Sequence, residues 1–304
     1  MIVYRELKSI ETDLGFSIKT LYGLSNNLAA HYHSVLIPKK DGTARKLSVP
    51  DKILKRVQKS IADNLLFHYP VSRYSTAYSI GDNVQGNAAR HVNKNKILKL
   101  DIDGFFDHIS YSLVKDKVFF AEKYSEPIRI LLAMLCYFND ALPQGAPTSP
   151  AVTNIIMYDF DETIGAYCSK IGVTYTRYCD DMTFSGDFNP REIICLVKTE
   201  LKKLRLFLKD RKTKIIPSTK RQVVTGVVVN EKLNLTRDYK KKIRREIYYL
   251  EKFGVVSHLS RIGAEDKEKY LNGLKGRVAY VLQTSKNNKE FLKYKSMLKN
   301  MSLN

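Results

Sequence analysis

Two aspartates stand side by side in "TYTRYCDDMTFSG", residues 174–186. Residues 173–178 and 182–185 each alternate β-branched or aromatic side chains with small or polar ones, which reads as a tight hairpin tipped by Asp180 and Asp181. Adjacent carboxylates repel, and a tight turn would ordinarily take Asn-Gly or Asp-Gly. Either this is a solvated acidic turn, or a divalent cation compensates the repulsion. A second carboxylate strand decides between them. In "LKLDIDGFFD" an apolar strand ends at Asp101, whose carboxylate leaves the sheet edge beside the neighbouring strand. If that neighbour is the hairpin, Asp101 and Asp180 converge from far apart in sequence. With a backbone carbonyl such as that of Ile102, they make an all-oxygen site suited to Mg²⁺. Two ions about 4 Å apart would activate a sugar hydroxyl and stabilise departing pyrophosphate in an in-line displacement. Neither motif is specific alone; their pairing in this order is.

Several elements must position these carboxylates. Residues 2–30 read as two short helices, the second opening at Ser17. "SVLIPKKDGTARKLSVP" is a hairpin turning at Lys-Asp-Gly, with Arg45 and Lys46 on its return strand. An amphipathic helix capped by Asp51 follows, with Ile53, Leu54, Val57, Ile61 and Leu65 expected in the core. "DNVQGNAARHVNK" is a polar loop entering a short helix. Residues 113–138 are helical, with a break expected at Pro127. "LPQGAPTSP" is a structured loop, and Pro150 starts a helix reaching residue 170. A further helix spans 189–206, and "KTKII" with "VVTGVVV" reads as a strand pair. Beyond Asn230 the chain turns helical and basic. "TRDYKKKIRREIYYLEKFG" opens at Thr236 with an apolar stripe of Tyr239, Ile243, Ile247 and Leu250. Lys240, Lys241, Arg244 and Arg245 occupy its other faces, either as a solvated face or, with tyrosines interleaved, as a nucleic-acid surface.

The bulk charge agrees with that surface. Against 31 acidic residues stand 51 basic ones, a net charge of +20. Such an excess implies an anionic partner, most often nucleic acid, because neutralised phosphates release counterions. No run of eighteen apolar residues and no signal-peptide layout is present, and the four cysteines lack a C-x-x-C pair. These features lead us to expect a soluble, cytoplasmic protein with reduced thiols and no membrane partner.

In order along nearly the whole chain, "IPKKDGTARKLSVP", "LKLDIDGFFD", "LPQGAPTSP", "RYCDD", "RKTKI" and "VVTGVVV" resemble the motifs of reverse transcriptases. The resemblance is closest to the retron enzymes, which carry an N-A-x-x-H element before the first catalytic strand and a V-T-G element after the palm. Both occur here, at Asn87–His91 and at Val224, Thr225 and Gly226. One departure is Cys179, where many retron enzymes have alanine. The resemblance implies Asp101 and Asp180 as metal ligands with Asp181 beside them, and Phe106 as an aromatic gate against a ribose hydroxyl. It implies nucleotide contacts from Arg45, Gln144 and Lys212, with Lys39 and Lys40 as weaker candidates, and RNA contacts from the two retron elements. His91 receives no chemical role.

The expected fold is an α/β (α+β) right-hand polymerase. Fingers and palm, an antiparallel sheet flanked by helices, would extend to residue 230, and a helical basic thumb would fill 231–304. That last stretch is too short for a ribonuclease H fold, protease or integrase, and "QGAPTSP" differs from the diversity-generating relatives. The expected function is RNA-templated DNA synthesis from dNTPs with two Mg²⁺ ions. The template would be a cognate structured non-coding RNA, primed from a 2′-hydroxyl to give branched RNA-linked DNA. A role in anti-phage defence with an effector protein lies one step further. The rivals are a 3′-primed reverse transcriptase of another bacterial lineage, a non-catalytic RNA-binding scaffold, and a polymerase on DNA templates.

Overall fold

A computed structural model of the chain describes residues 3–38, 42, 44–264 and 266–301. Packing divides it into two compact units, Met1–Asp82 with Leu98–Ile215, and Asn83–Ile97 with Ile216–Asn304. Residues 83–97 and 216–230, which precede the boundary expected at 230, therefore pack with the C-terminal helices.

The first unit opens with helices Leu7–Leu14 and Ile18–Asn26, the second capped by Ser17, whose hydroxyl accepts the Thr20 N–H at 3.2 Å. Strands β1 (Tyr32–Pro38) and β2 (Ala44–Pro50) form the expected hairpin, with Ile37 opposite Arg45. Lys39 and Lys40, the weaker nucleotide-contact candidates, lie outside the described residues. Asp51 caps helix Lys52–Ile61 by accepting the Leu54 N–H at 2.9 Å. Leu54, Val57, Ile61 and Leu65 are buried at helical spacing, whereas Ile53, one residue off that stripe, is 39% exposed.

A four-stranded sheet carries the carboxylates. It comprises β3 (Lys96–Asp101), β4 (Thr174–Tyr178), β5 (Asp181–Gly186) and β6 (Lys214–Pro217), in the order β4-β5-β3-β6. β3 thus lies directly beside the hairpin strand β5, the neighbour that the carboxylate argument requires. Pro127 does not break a helix; it sits in the first turn of Glu126–Cys136, where its missing N–H costs nothing. The helix expected from residue 150 is two, Ser149–Ile156 and Tyr158–Lys170, divided at Met157. These helices and Pro190–Lys203 cover the sheet with Ile128, Leu132, Val152, Phe160 and Val197.

The second unit holds a separate antiparallel sheet of β7 (Val223–Val224), β8 (Val227–Val228) and β9 (Asn234–Leu235). "KTKII" and "VVTGVVV" therefore do not pair, because the first completes the carboxylate sheet as β6. Short helix Val84–Ala89 accompanies three long ones, Arg237–Ile262, Lys267–Thr284 and Lys289–Asn300. Ile243, Ile247 and Leu250 pack in one core with Leu274, Val278 and Phe291. Arg237–Ile262 kinks at Gly254, whose φ of 74° a side chain would resist. Among the described residues no helix is long and apolar enough to cross a membrane.

Candidate active site

The β4–β5 connection is only Cys179 and Asp180, since Tyr178 pairs with Asp181. Cys179 takes a left-handed φ of 60°, and the Asp180 carbonyl accepts the Ile102 N–H at 3.1 Å. That bond stitches the hairpin tip to the end of β3. Asp101 and Asp180 consequently line one cleft of about 720 Å³. Beneath the tip, Arg177 and Asp161 are both 0% exposed and ion-paired at 2.6 Å. Arg177 Nη1 also donates to the Cys179 carbonyl at 3.0 Å, so a buried charge pair fixes the backbone that presents Asp180. An arginine among the strand-forming threonines and tyrosines of "TYTRY" was the signal in the sequence for this anchor.

Asp181 begins β5 and does not line the cleft. Burial, reinforced by the charges of Asp180 and Asp101 and opposed by Lys99, raises its carboxyl above the usual range. Lys212, from the turn preceding β6, reaches Asp101 Oδ2 at 2.5 Å. Burial works against its ammonium, but the Asp101 hydrogen bond and the charges of Asp101, Asp180 and Asp181 outweigh it and hold Lys212 above its ordinary value. The Ile102 carbonyl accepts no backbone N–H among the described residues, while its neighbours are engaged: Lys209 N–H reaches the Asp101 carbonyl at 2.8 Å and Asp103 N–H the Phe207 carbonyl at 2.9 Å.

After Asp101 the chain turns rather than continuing as a strand. Phe105 enters the core and Phe106 stays half-buried on the cleft wall, with their rings edge-to-face at 5.6 Å. The Phe106 carbonyl accepts the Leu142 N–H at 3.0 Å, which ties this wall to the "LPQGAPTSP" loop. Gln144 lies on the same wall, and its Nε2 donates to Asp107 Oδ1 at 3.3 Å. A Cβ on Gly145 would stand 2.5 Å from the Ser48 carbonyl oxygen, so only glycine lets this loop meet β2. β2 then places Arg45 on the cleft, without a partner among the described residues. Lys46, Lys209, Arg211 and Asp107 also line it, and the Tyr78 hydroxyl donates to Cys179 Sγ at 3.0 Å. Burial pushes the Cys179 thiol up to about 11.

This donor set fits a hard divalent cation. No three His, Cys, Asp or Glu side chains gather as a metal site among the described residues. A cation here would therefore rest on the Asp101 and Asp180 carboxylates and the free Ile102 carbonyl, with water and substrate phosphate completing its shell. The Lys212 ammonium on Asp101 is a tethered cation in that same field.

The family model for reverse transcriptase (RNA-dependent DNA polymerase) matches residues 37–250. The chain is 32% identical to the Retron Ec83 reverse transcriptase of Escherichia coli, over 74% of this chain and 77% of that one. It belongs to the retron-type reverse transcriptases. The Retron Mx65 enzyme of Myxococcus xanthus is 28% identical, over 92% of this chain and 68% of its own. A solved telomerase from Candida albicans aligns at 12% identity with a TM-score of 0.47, covering 88% of this chain and 66% of that one. The enzyme is an RNA-directed DNA polymerase of the right-hand fold, a family that works with divalent metal ions and dNTPs.

In the reverse transcriptase's second unit the two retron elements meet. Thr225 and Gly226 take φ of 45° and 85°, the two positive values of a type I′ turn between β7 and β8. Threonine is strained there. Thr225 Oγ1 donates to the Val84 carbonyl at 3.0 Å and accepts from Asn87 Nδ2 at 3.4 Å, which holds it. Asn87, His91 and Val224 are buried, so these three expected RNA contacts instead face inward. Burial lowers His91 to about 3, and the nearby Arg90 and Lys94 charges add to this. On helix Arg237–Ile262, Arg244 is not free for phosphate: Glu290 takes it at 2.6 and 2.7 Å. Lys240 is half-buried and donates to Asn234 Oδ1 at 2.9 Å, leaving Lys241 and Arg245 as the cations of that set that are exposed and have no partner among the described residues.

Proposed function

We propose that this enzyme copies part of a cognate structured non-coding RNA into single-stranded DNA, primed from a 2′-hydroxyl of that RNA to give a branched product. The observation that carries the polymerase chemistry is the convergence of Asp101, Asp180, Phe106, Gln144, Arg45 and Lys212 on one cleft. Asp101, Asp180 and the Ile102 carbonyl would hold Mg²⁺, with Asp181 beside them. An ion held there would supply Lewis acidity toward the attacking hydroxyl and positive charge toward the phosphates. Arg45 offers a planar fork of donors to the triphosphate oxygens. Lys212, held by Asp101, supplies a cation beside the reacting phosphates. The Phe106 ring closes the wall where a ribose 2′-hydroxyl would project, which favours dNTPs. Gln144, fixed by Asp107, orients the incoming nucleotide.

Fingers and palm would occupy residues 1–230 and a basic thumb 231–304. RNA contact falls to the exposed Gly226 and its Thr225 neighbour, which Asn87 holds while His91 and Val224 stay buried, and to Lys241 and Arg245. A cytoplasmic anti-phage role with an effector protein follows from the retron kinship. Expression with native flanking DNA tests the proposal. It expects one small ribonuclease-resistant single-stranded DNA whose mobility rises on debranching. DNA synthesis on a supplied RNA with a 3′-primer, without such a band, would replace this reading with a 3′-primed enzyme.

A further inference from the structure

A second cavity in the first unit, of about 660 Å³, shares no lining residue with the catalytic cleft. That volume suits a small organic ligand. Its walls are largely apolar, with Tyr69, Phe120, Ile155 and Tyr158 presenting ring and aliphatic surface. Among them stands Lys123, a lysine only 9% exposed. Its ammonium lies 4.5 Å from the centre of the Tyr69 ring and 5.2 Å from that of Tyr124. Among the described residues no carboxylate pairs with it. The one acid on the cavity wall, Asp159, is taken by Lys117 at 3.0 Å. Tyr69 donates its hydroxyl to the Val118 carbonyl, and Tyr4 donates to Asp13 at 2.6 Å.

A lysine packed between aromatic rings can simply be a structural plug, because ring faces attract cations. Two rings offset only part of what an ammonium loses on leaving water, and burial accordingly lowers the pKa of Lys123. A plug would also need no open volume beside it. Here the uncompensated charge borders a ligand-sized apolar cavity, and one negative charge is what it lacks. We propose that this cavity binds a small aromatic monocarboxylate, with the flat ring against Phe120, Ile155 and Tyr158 and the carboxylate on the Lys123 ammonium. A doubly charged phosphate would bring one charge more than the free cation can match.

Calorimetric titration of the full chain with 2-naphthoate and its neutral isostere 2-naphthamide tests this without any variant. The acid should bind at one site and roughly tenfold or more tighter than the amide, the worth of one charge-assisted hydrogen bond. Lys123→Met should erase that preference while dTTP incorporation on poly(rA)·oligo(dT) continues at the wild-type rate, which also reports that the variant folds. Phe120→Ala should weaken acid and amide alike. Equal affinity for acid and amide in the wild-type protein would overturn the proposal, as would a preference that survives Lys123→Met. Neither result would touch the polymerase assignment, since no cleft residue is involved.

Discussion

Arg177→Met attacks the support of the catalytic hairpin rather than its carboxylates. The substitution keeps the apolar stem but removes the contacts of Nε and Nη2 to Asp161, at 2.6 to 3.1 Å. It also removes the bonds to the Asn154 side chain at 3.3 Å and the Cys179 carbonyl at 3.0 Å. Asp161 is left fully buried, with the Tyr175 hydroxyl at 2.8 Å as its remaining donor. Breaking a buried pair from one side costs about 3–5 kcal/mol. For a unit of this size that lowers Tm by roughly 6–20 °C. The chain has no tryptophan, so urea and thermal unfolding are followed by far-UV circular dichroism. Asp161→Leu should restore most of the loss when combined with Arg177→Met, because the uncompensated charge disappears. A loss below about 1 kcal/mol, or a double variant no more stable than Arg177→Met alone, would refute the assignment of the pair as the hairpin's anchor.

Other perturbations address the cleft and the second unit. Phe106→Ala should raise ribonucleotide incorporation about tenfold or more relative to dNTPs, measured as a ratio of kcat/KM values; an unchanged ratio removes Phe106 from the gate. Gly145→Ala should lower kcat/KM about tenfold or more by forcing the loop off the Ser48 carbonyl, and wild-type kinetics would show that this approach is not needed. His91 is held neutral, with its folded pKa lowered from 6.5 to about 3. The unfolded chain therefore binds the extra proton between these values, so stability present above pH 6.5 is lost as pH falls, by about 1.4 kcal/mol per unit. His91→Gln should flatten that slope in urea titrations between pH 6.5 and 4.5, and an identical slope would contradict the burial argument.

The cleft was legible in the sequence because its residues sit on short motifs whose local geometry is self-announcing. A strand ending at Asp101 and a hairpin tipped by Asp180 needed only adjacency of β3 and β5. Partners distant in sequence were not legible. Nothing local couples Arg244 to Glu290, or Gly145 to Ser48, and both pairings change what the named residue can do. The retron elements were visible as strings but not as inward or outward facing. Asn87 and His91 share a short polar stretch, yet both are buried, and Asn87 holds the strained Thr225 turn from within. Pro127 misled for a related reason, since a proline that breaks a helix and one that begins it look alike until the preceding turn is seen.

Asp180→Asn tests the central claim most directly. Single-turnover dNTP incorporation on an RNA template should be measured beside the affinity of the same protein for that RNA. The amide keeps the shape and removes the charge that a divalent cation needs. Synthesis should fall by roughly a thousandfold or more, with RNA affinity within about twofold of wild type. Synthesis within about tenfold of wild type would contradict the assignment of Asp101 and Asp180 as the metal-holding pair.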